Sequence, residues 1–368
     1  MSPPRLAVIG AGMLGLAHAW AAVRRGYAVT VFERDHQACG ASVRNFGLGL
    51  LLGQTQGEML ELAHRTRSLW LDLLPALGCW HKAQGSLMVA RDDAEWAVLQ
   101  IFQQDLGQVY GTRLLDPAQL ALHHVHGLGG LRSHHEIAFD ARRTIPAFAR
   151  WLAEVHGVRF HYGTQVHTIA LPELHTSRGP HHADRVIVCA GHDFQTLYPG
   201  AFADLDLQRC RLQMLRLANP GMVLGPTLMT GLSTLHYGAF TQHPPLAAPL
   251  ARLRERLAGE QPALPANGIH LIVQQVGKSG DLIVGDSHHY GADVSPFNSE
   301  EVDTLILGLA EQLLARPLRV KERWQGVYAK GADAYVNLQP APDVQCVAIT
   351  AGVGMSIGLA LAERVLHA

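Results

Sequence analysis

The segment Pro4–Gly15, PRLAVIGAGMLG, constrains this chain more than any other. Leu6 to Ile9 is a short apolar run, the pattern of a strand buried on both faces. Gly10, Gly12 and Gly15 follow as G-x-G-x-x-G. Leu14 to Arg25 then places apolar side chains at helical spacing and stops before Gly26. Ala28 to Phe32 is a second buried strand, ended by Glu33. Strand, glycine turn, helix, strand and acid in that order predict a βαβ unit that binds a dinucleotide. The first glycine permits the tight turn, the second lets the backbone approach a pyrophosphate, and the third lets helix and strand pack closely. Amides of the first helical turn, at Met13 and Leu14, face the phosphates. Glu33, with Arg34 beside it, is placed to accept ribose hydroxyls. A carboxylate there favours a free 2′-hydroxyl, so FAD or NAD and not NADP.

Charge and composition exclude other classes. Lys and Arg total 30 against 31 Asp and Glu, so bulk electrostatics hold no nucleic acid and no anionic membrane. With 48% hydrophobic and 17% charged residues the chain is not disordered. No uninterrupted apolar run reaches the ~18 residues of a membrane span. Five widely spaced cysteines without a C-x-x-C suit reduced thiols in the cytoplasm. The apolar start is committed to a strand and is not read as an export signal. Histidine is abundant, with pairs at His123-His124, His134-His135, His181-His182 and His288-His289. None has the spacing of a helical metal motif, so no metal is expected and the pairs read as surface or hydrogen-bonding groups.

An NAD domain would continue in alternating strands and helices. Instead Gln37 to Gly53 reads QACGASVRNFGLGLLLG, poor in helix signal and rich in small residues that let a backbone lie against a large ring. Here the sequence resembles the FAD-dependent oxidoreductases of the D-amino-acid oxidase and glycine oxidase-like family. They share the glycine fingerprint with its acid, followed by a G-x-S-x-x-N-x-G-like loop. Gly40, Ser42, Asn45 and Gly47 match that loop, with Arg44 and Phe46 around Asn45. Asp184 to Gly191, DRVIVCAG, resembles the strand that closes the family's FAD domain, with Cys189, Ala190 and Gly191 at its end. Val347 to Gly358, VAITAGVGMSIG, resembles the turn into the last helix, Ile357 to Leu366. There Gly352, Gly354, Met355 and Ser356 match positions that meet the flavin. Val166 matches a backbone contact to the adenosine.

The resemblance spans the whole chain and implies an α/β fold: a discontinuous Rossmann-type FAD-binding domain with an inserted α+β substrate domain, mostly antiparallel sheet. The FAD domain is assigned residues 1–75, 140–205 and 325–368, the substrate domain 76–139 and 206–324, all approximate. Val158 to Ile169 reads as paired strand material, Thr176 to His182 as a polar turn of the same small sheet. Strands are expected over Gln84–Ala90, Arg209–Leu217, Gly268–Val276 and Asp281–Val284. Helices are expected over Asp92–Gln108 and Glu300–Ala315. Pro244 to Pro265, with its prolines and Arg-rich helix, reads as a surface excursion.

The family chemistry implied is oxidation of a small primary or secondary amine. Hydride passes to flavin N5, and the imine hydrolyses to a carbonyl compound plus ammonia or an alkylamine. The protein must orient the substrate and hold its anionic end. Glycine-oxidase-like proteins carry G-[LV]-R-P near the C-terminus, whose Arg binds a carboxylate. Here the stretch reads RWQGVYAK: Tyr328 replaces the Arg, and Lys330 lies two residues on. Two readings follow. The substrate carries another anion, such as a phosphonate, held by Arg44, His236, Tyr237, Tyr328 and Lys330; the Arg44–Gly47 and WQGVY strings resemble the aminophosphonate-associated branch of the family. Alternatively Arg209 or Arg211 has taken over the carboxylate, as in a D-amino-acid or glycine oxidase. A flavin-holding, non-catalytic subunit is the third reading. Cys346 lies inside the last strand, so FAD is expected to be non-covalent. The stretch DLIVG lacks the Lys with which some relatives activate oxygen, so O2 is expected to be a poor acceptor beside another carrier, unless His288 or His289 supplies the positive charge.

Overall fold

The structure, a computed structural model, describes residues 3–367. Its backbone is one sheet of 14 strands. At one end Arg5–Ile9 lies between Arg185–Val188 and Ala28–Phe32, parallel to both. Arg159–His161 extends this parallel part on one side and Val344–Ala351 on the other. The apolar run is uninterrupted because both faces are covered. Leu6 and Val8 join a cluster with the helices Met13–Val23, Ala141–His156 and Gly354–Val365. Ala7 and Ile9 pack instead with Val166 and Leu174 of a separate small sheet.

The other end is mostly antiparallel. Gln208–Leu217 pairs with Asp281–Gly285, followed by Ile272–Val276, Thr227–Thr230, Ser86–Ala90, Gly129–Ser133 and Thr112–Leu115. The single parallel contact in that series joins Thr227–Thr230 to Ser86–Ala90. One 22-residue strand, Val320–Ala341, joins the two ends. Its first half pairs with Gln208–Leu217 and its second with Val344–Ala351. The cut placed near residue 325 falls within this strand. No described helix is long and apolar enough to cross a membrane.

Most predicted elements form within a few residues of their expected limits. Four differ for physical reasons. Val158–Ile169 does not pair with itself: Arg159–His161 joins the parallel sheet, while Val166–Ala170 pairs with Glu173–Thr176. Thr176–His182 is not only a turn, since Gly179–His182 is a strand of the same small sheet. The last helix begins at Gly354 rather than Ile357, because a glycine-containing first turn still makes helical bonds: Ile357 N–H donates to Val353 O at 3.1 Å. Pro244–Pro265 is no surface excursion. In the helix Ala247–Glu260, Leu250, Leu253 and Leu257 recur at helical spacing and are buried, as is Leu246 before it. The arginines occupied the attention of the composition while the leucines set the packing.

Candidate active site

A cavity of about 550 Å³ crosses the junction of the two sheet regions. It falls within the roughly 300–1,000 Å³ of small-molecule and cofactor sites. At one end lie Glu33, Arg34 and Val166; along its length lie Gly10, Gly12, Met13, Leu14, Ser42 and Asn45; at the other end lie Arg44, Tyr237, Tyr328 and Gly352–Ser356.

The first end is built by close backbone approach. Gly10 has φ +104°, and a Cβ there would lie 2.4 Å from Cys189 O. A Cβ at Gly15 would lie 1.8 Å from Gly10 O, so helix and strand touch backbone to backbone. Ser42 Oγ accepts the Met13 N–H at 2.8 Å and seats the following loop on the helix start. Glu33 Oε2 accepts the Ala11 N–H at 2.8 Å, and Oε1 accepts the Asp35 N–H at 3.1 Å. These bonds aim the carboxylate into the glycine turn and leave it lone pairs for hydroxyls. Arg34 donates to Asp193 at 2.9 Å, which neutralises it at the rim. Ala190 and Gly191 line the same wall after the strand Arg185–Val188.

The middle is braced by the loop. Asn45 donates to Ala41 O at 2.8 Å and accepts the Gly47 N–H at 2.7 Å. Phe46 lines the cavity; Gly47 does not, and its backbone lies against Phe139, where a Cβ would come within 2.0 Å of Phe139 O. At the far end the helix Gly354–Val365 points its N-terminus at the cavity. Ser356 Oγ accepts the Leu50 N–H at 3.0 Å and Met355 O accepts the Trp70 indole N–H at 2.9 Å, so its first turn is fixed. That turn favours negative charge in front of it.

Arg44 is held from behind: its carbonyl accepts the Trp324 indole N–H at 3.0 Å, and its Nη1 donates to Gln325 O at 3.3 Å. Tyr328 stands in the strand Val320–Ala341, with Gly352 against its ring. Burial pushes the Tyr328 phenol well above the usual tyrosine range, with Cys210 adding to it. Burial likewise raises Tyr237, with Asp286 adding. Both phenols therefore stay neutral and able to donate.

Gly15, Gly47, His236 and Lys330 are not in the cavity wall among the described residues; the other proposed cofactor and substrate residues are. Gly15 acts through packing, and Lys330 lies farther along the same strand, opposite Ala351. Arg209 donates to Ala292 O and Asp293, and Arg211 to Ser295 O and Phe297 O. Neither reaches the cavity wall.

Sequence reasoning missed a group at the far end: His270, Asp286 and His288 line the cavity beside Tyr237. Burial pushes Asp286 up to about 6, with His288 opposing. Burial holds His270 well below the usual histidine range, with His236 and His288 adding. The only signal was Asp286 and His288 two apart at the end of a predicted strand. The search for helical i, i+4 spacing passed over it.

An elongated cavity with glycines at its narrow turn, a carboxylate at one end and a helix N-terminus at the other fits FAD. The profile of the family described as DAO, FAD dependent oxidoreductase, matches residues 5–367. Among solved structures the chain is similar to glycine oxidase from Geobacillus kaustophilus, with a TM-score of 0.78, 16% identity, and coverage of 99% of this chain and 94% of that one. It is similar to FAD-bound L-alpha-glycerophosphate oxidase from Mycoplasma pneumoniae, with a TM-score of 0.77, 16% identity, and coverage of 100% and 94%. Iminodiacetate oxidase from a Chelativorans species gives a TM-score of 0.72, 16% identity, and coverage of 99% and 95%. A search of curated protein sequences returns no match. The glycine turn, the cavity and the family profile agree: this chain belongs to the DAO family of FAD-dependent oxidoreductases.

Proposed function

We propose that the chain oxidises a small primary or secondary amine bearing an anionic tail, of the 2-aminoethylphosphonate type, to an aldehyde plus ammonia or an alkylamine. One observation carries this reading. By the sequence resemblance Tyr328 stands where glycine-oxidase-like proteins carry their carboxylate-binding Arg, and Tyr328 and Arg44 both line the cavity. Arg209 and Arg211 are spent on backbone carbonyls and Asp293 outside the cavity, which disfavours a relocated carboxylate clamp.

FAD supplies the hydride acceptor when bound. Arg44 holds the substrate anion with charge-assisted bonds, its backbone fixed by Trp324. Tyr237 and Tyr328, kept neutral by burial, donate hydrogen bonds and exclude water from the reacting carbon. Cys346 is fully buried within Val344–Ala351 and outside the cavity wall, which suits non-covalent FAD. The electron acceptor is O2 or another carrier, and five free thiols suit the cytoplasm.

The test is anaerobic titration of the yellow protein. Bleaching by 2-aminoethylphosphonate or its N-alkyl derivatives, and not by glycine or D-alanine, is expected. Bleaching by the amino acids alone overturns the aminophosphonate reading. No bleaching by any amine turns the reading to a flavin-holding subunit.

A further inference from the structure

Three imidazoles from separate loops meet at the edge of the cavity. One ring nitrogen from each of His236, His270 and His288 lies within 4.8 Å of the others. Their ring centroids are 4.4 Å, 5.1 Å and 5.3 Å apart. We propose that these histidines, with Asp286, bind a divalent transition-metal ion of the zinc class.

The backbone fixes the group. His270 and Asp286 exchange both main-chain bonds, at 3.3 Å and 3.1 Å. The outer ring nitrogens are also engaged. His288 Nδ1 lies 2.9 Å from Gly268 O, and a carbonyl only accepts, so that nitrogen carries the proton. His270 Nδ1 lies 3.1 Å from Ser233 Oγ. Bonds of this kind on one imidazole nitrogen orient the other towards a metal.

The inner atoms need a cation. His288 Nε2 lies 3.7 Å from Asp286 Oδ2. His270 Nε2 lies 3.3 Å from Asp286 Oδ1, without the alignment of a hydrogen bond. That oxygen is buried and finds no hydrogen-bond partner among the described residues. Three ring nitrogens and a buried carboxylate oxygen without a hydrogen bond therefore converge on one point. One ion would engage all of them at once. Imidazole and carboxylate are the donors that suit zinc, and because the ring planes lie 16°, 30° and 31° apart, bonds of about 2.0–2.2 Å require the rings both to close and to turn towards one point. His270, His288 and Asp286 also line the cavity, so one side of the ion would face it. The proposal does not depend on the identity of the amine.

The experiment uses the tag-free holoenzyme, stripped with chelator and titrated with zinc chloride by calorimetry, with metal counted by mass spectrometry after gel filtration. About one zinc per chain is expected, bound at micromolar strength or tighter. His270→Ala and His288→Ala should each weaken zinc binding at least about tenfold, as loss of a ligand does, while flavin absorbance per chain stays constant. His236→Ala repeats the test should the buried variants lose their flavin, because its ring keeps an accessible edge. Uptake below roughly a tenth of an ion per chain, or variants binding as tightly as the parent, overturns the site and leaves Asp286 neutralised by a proton instead.

Discussion

At the Glu33 end of the cavity the lining groups are Gly10, Gly12, Met13 and Glu33, all from one βαβ unit, held by close glycine packing and by main-chain N–H donors. At the Tyr328 end they are Arg44, Tyr237, His270, Asp286, His288 and Tyr328, gathered from five separate strands and loops, and their side chains form the wall. The first end tolerates almost no change in shape, because a backbone has no alternative rotamer. The second can change its chemistry one side chain at a time on an unchanged sheet. This is how a family keeps one cofactor while its substrates diverge.

The largest effect is expected where the backbone is closest. Gly15→Val places a side chain 1.8 Å from Gly10 O at its first atom. The purified variant should be colourless, read from its absorbance spectrum. Retention of full flavin would show that the two ends do not differ as described.

A pH-dependent loss of stability belongs to the same end. His18 is fully buried on the helix after the glycine turn, donates Nδ1–H to Leu14 O at 2.7 Å, and is lowered by burial to about 4. Between pH 6.5 and 4 the unfolded chain binds the proton that the folded chain refuses, so stability falls as pH falls. The loss is about 3 kcal/mol at most across that window. Urea denaturation at both pH values should show His18→Gln lacking this component.

At the far end Arg44→Met should raise KM for an aminophosphonate about 10- to 100-fold, the cost of one or two charge-assisted bonds, with FAD content unchanged. Steady-state kinetics decide it, and an unchanged KM removes Arg44 from the substrate. Lys330→Met gives the smallest effect, within about twofold in KM, because that side chain does not line the cavity. A large effect would place the anion beyond Tyr328, along the strand.

The two ends were not equally legible. Local order gave the nucleotide end: an apolar run, three glycines and an acid are contiguous, and each has a backbone reason for its place. Tyr328 was visible only as a departure from a family pattern, and Lys330 was read with it because it lies two residues on. In a strand, neighbours two apart share a face, yet the wall takes Gly326 to Ala329 and ends before Lys330. The His236, His270 and His288 group was invisible because its members meet only when Gly231–Leu235, the lead into Ile272–Val276 and the exit of Asp281–Gly285 are brought side by side.

Short-range physics settled the βαβ unit, the carboxylate at its end and the strands that bury both faces, since those depend on steric limits and periodicity within a few dozen residues. Sheet pairing settled the rest. Which side chains line the cavity and which histidines come together depend on strand pairings that range from the hairpin of Ile272 with Gly285 to Gln208 with Lys330 far along the chain. No local pattern encodes those distances, because the energy that fixes them comes from burying whole faces against each other.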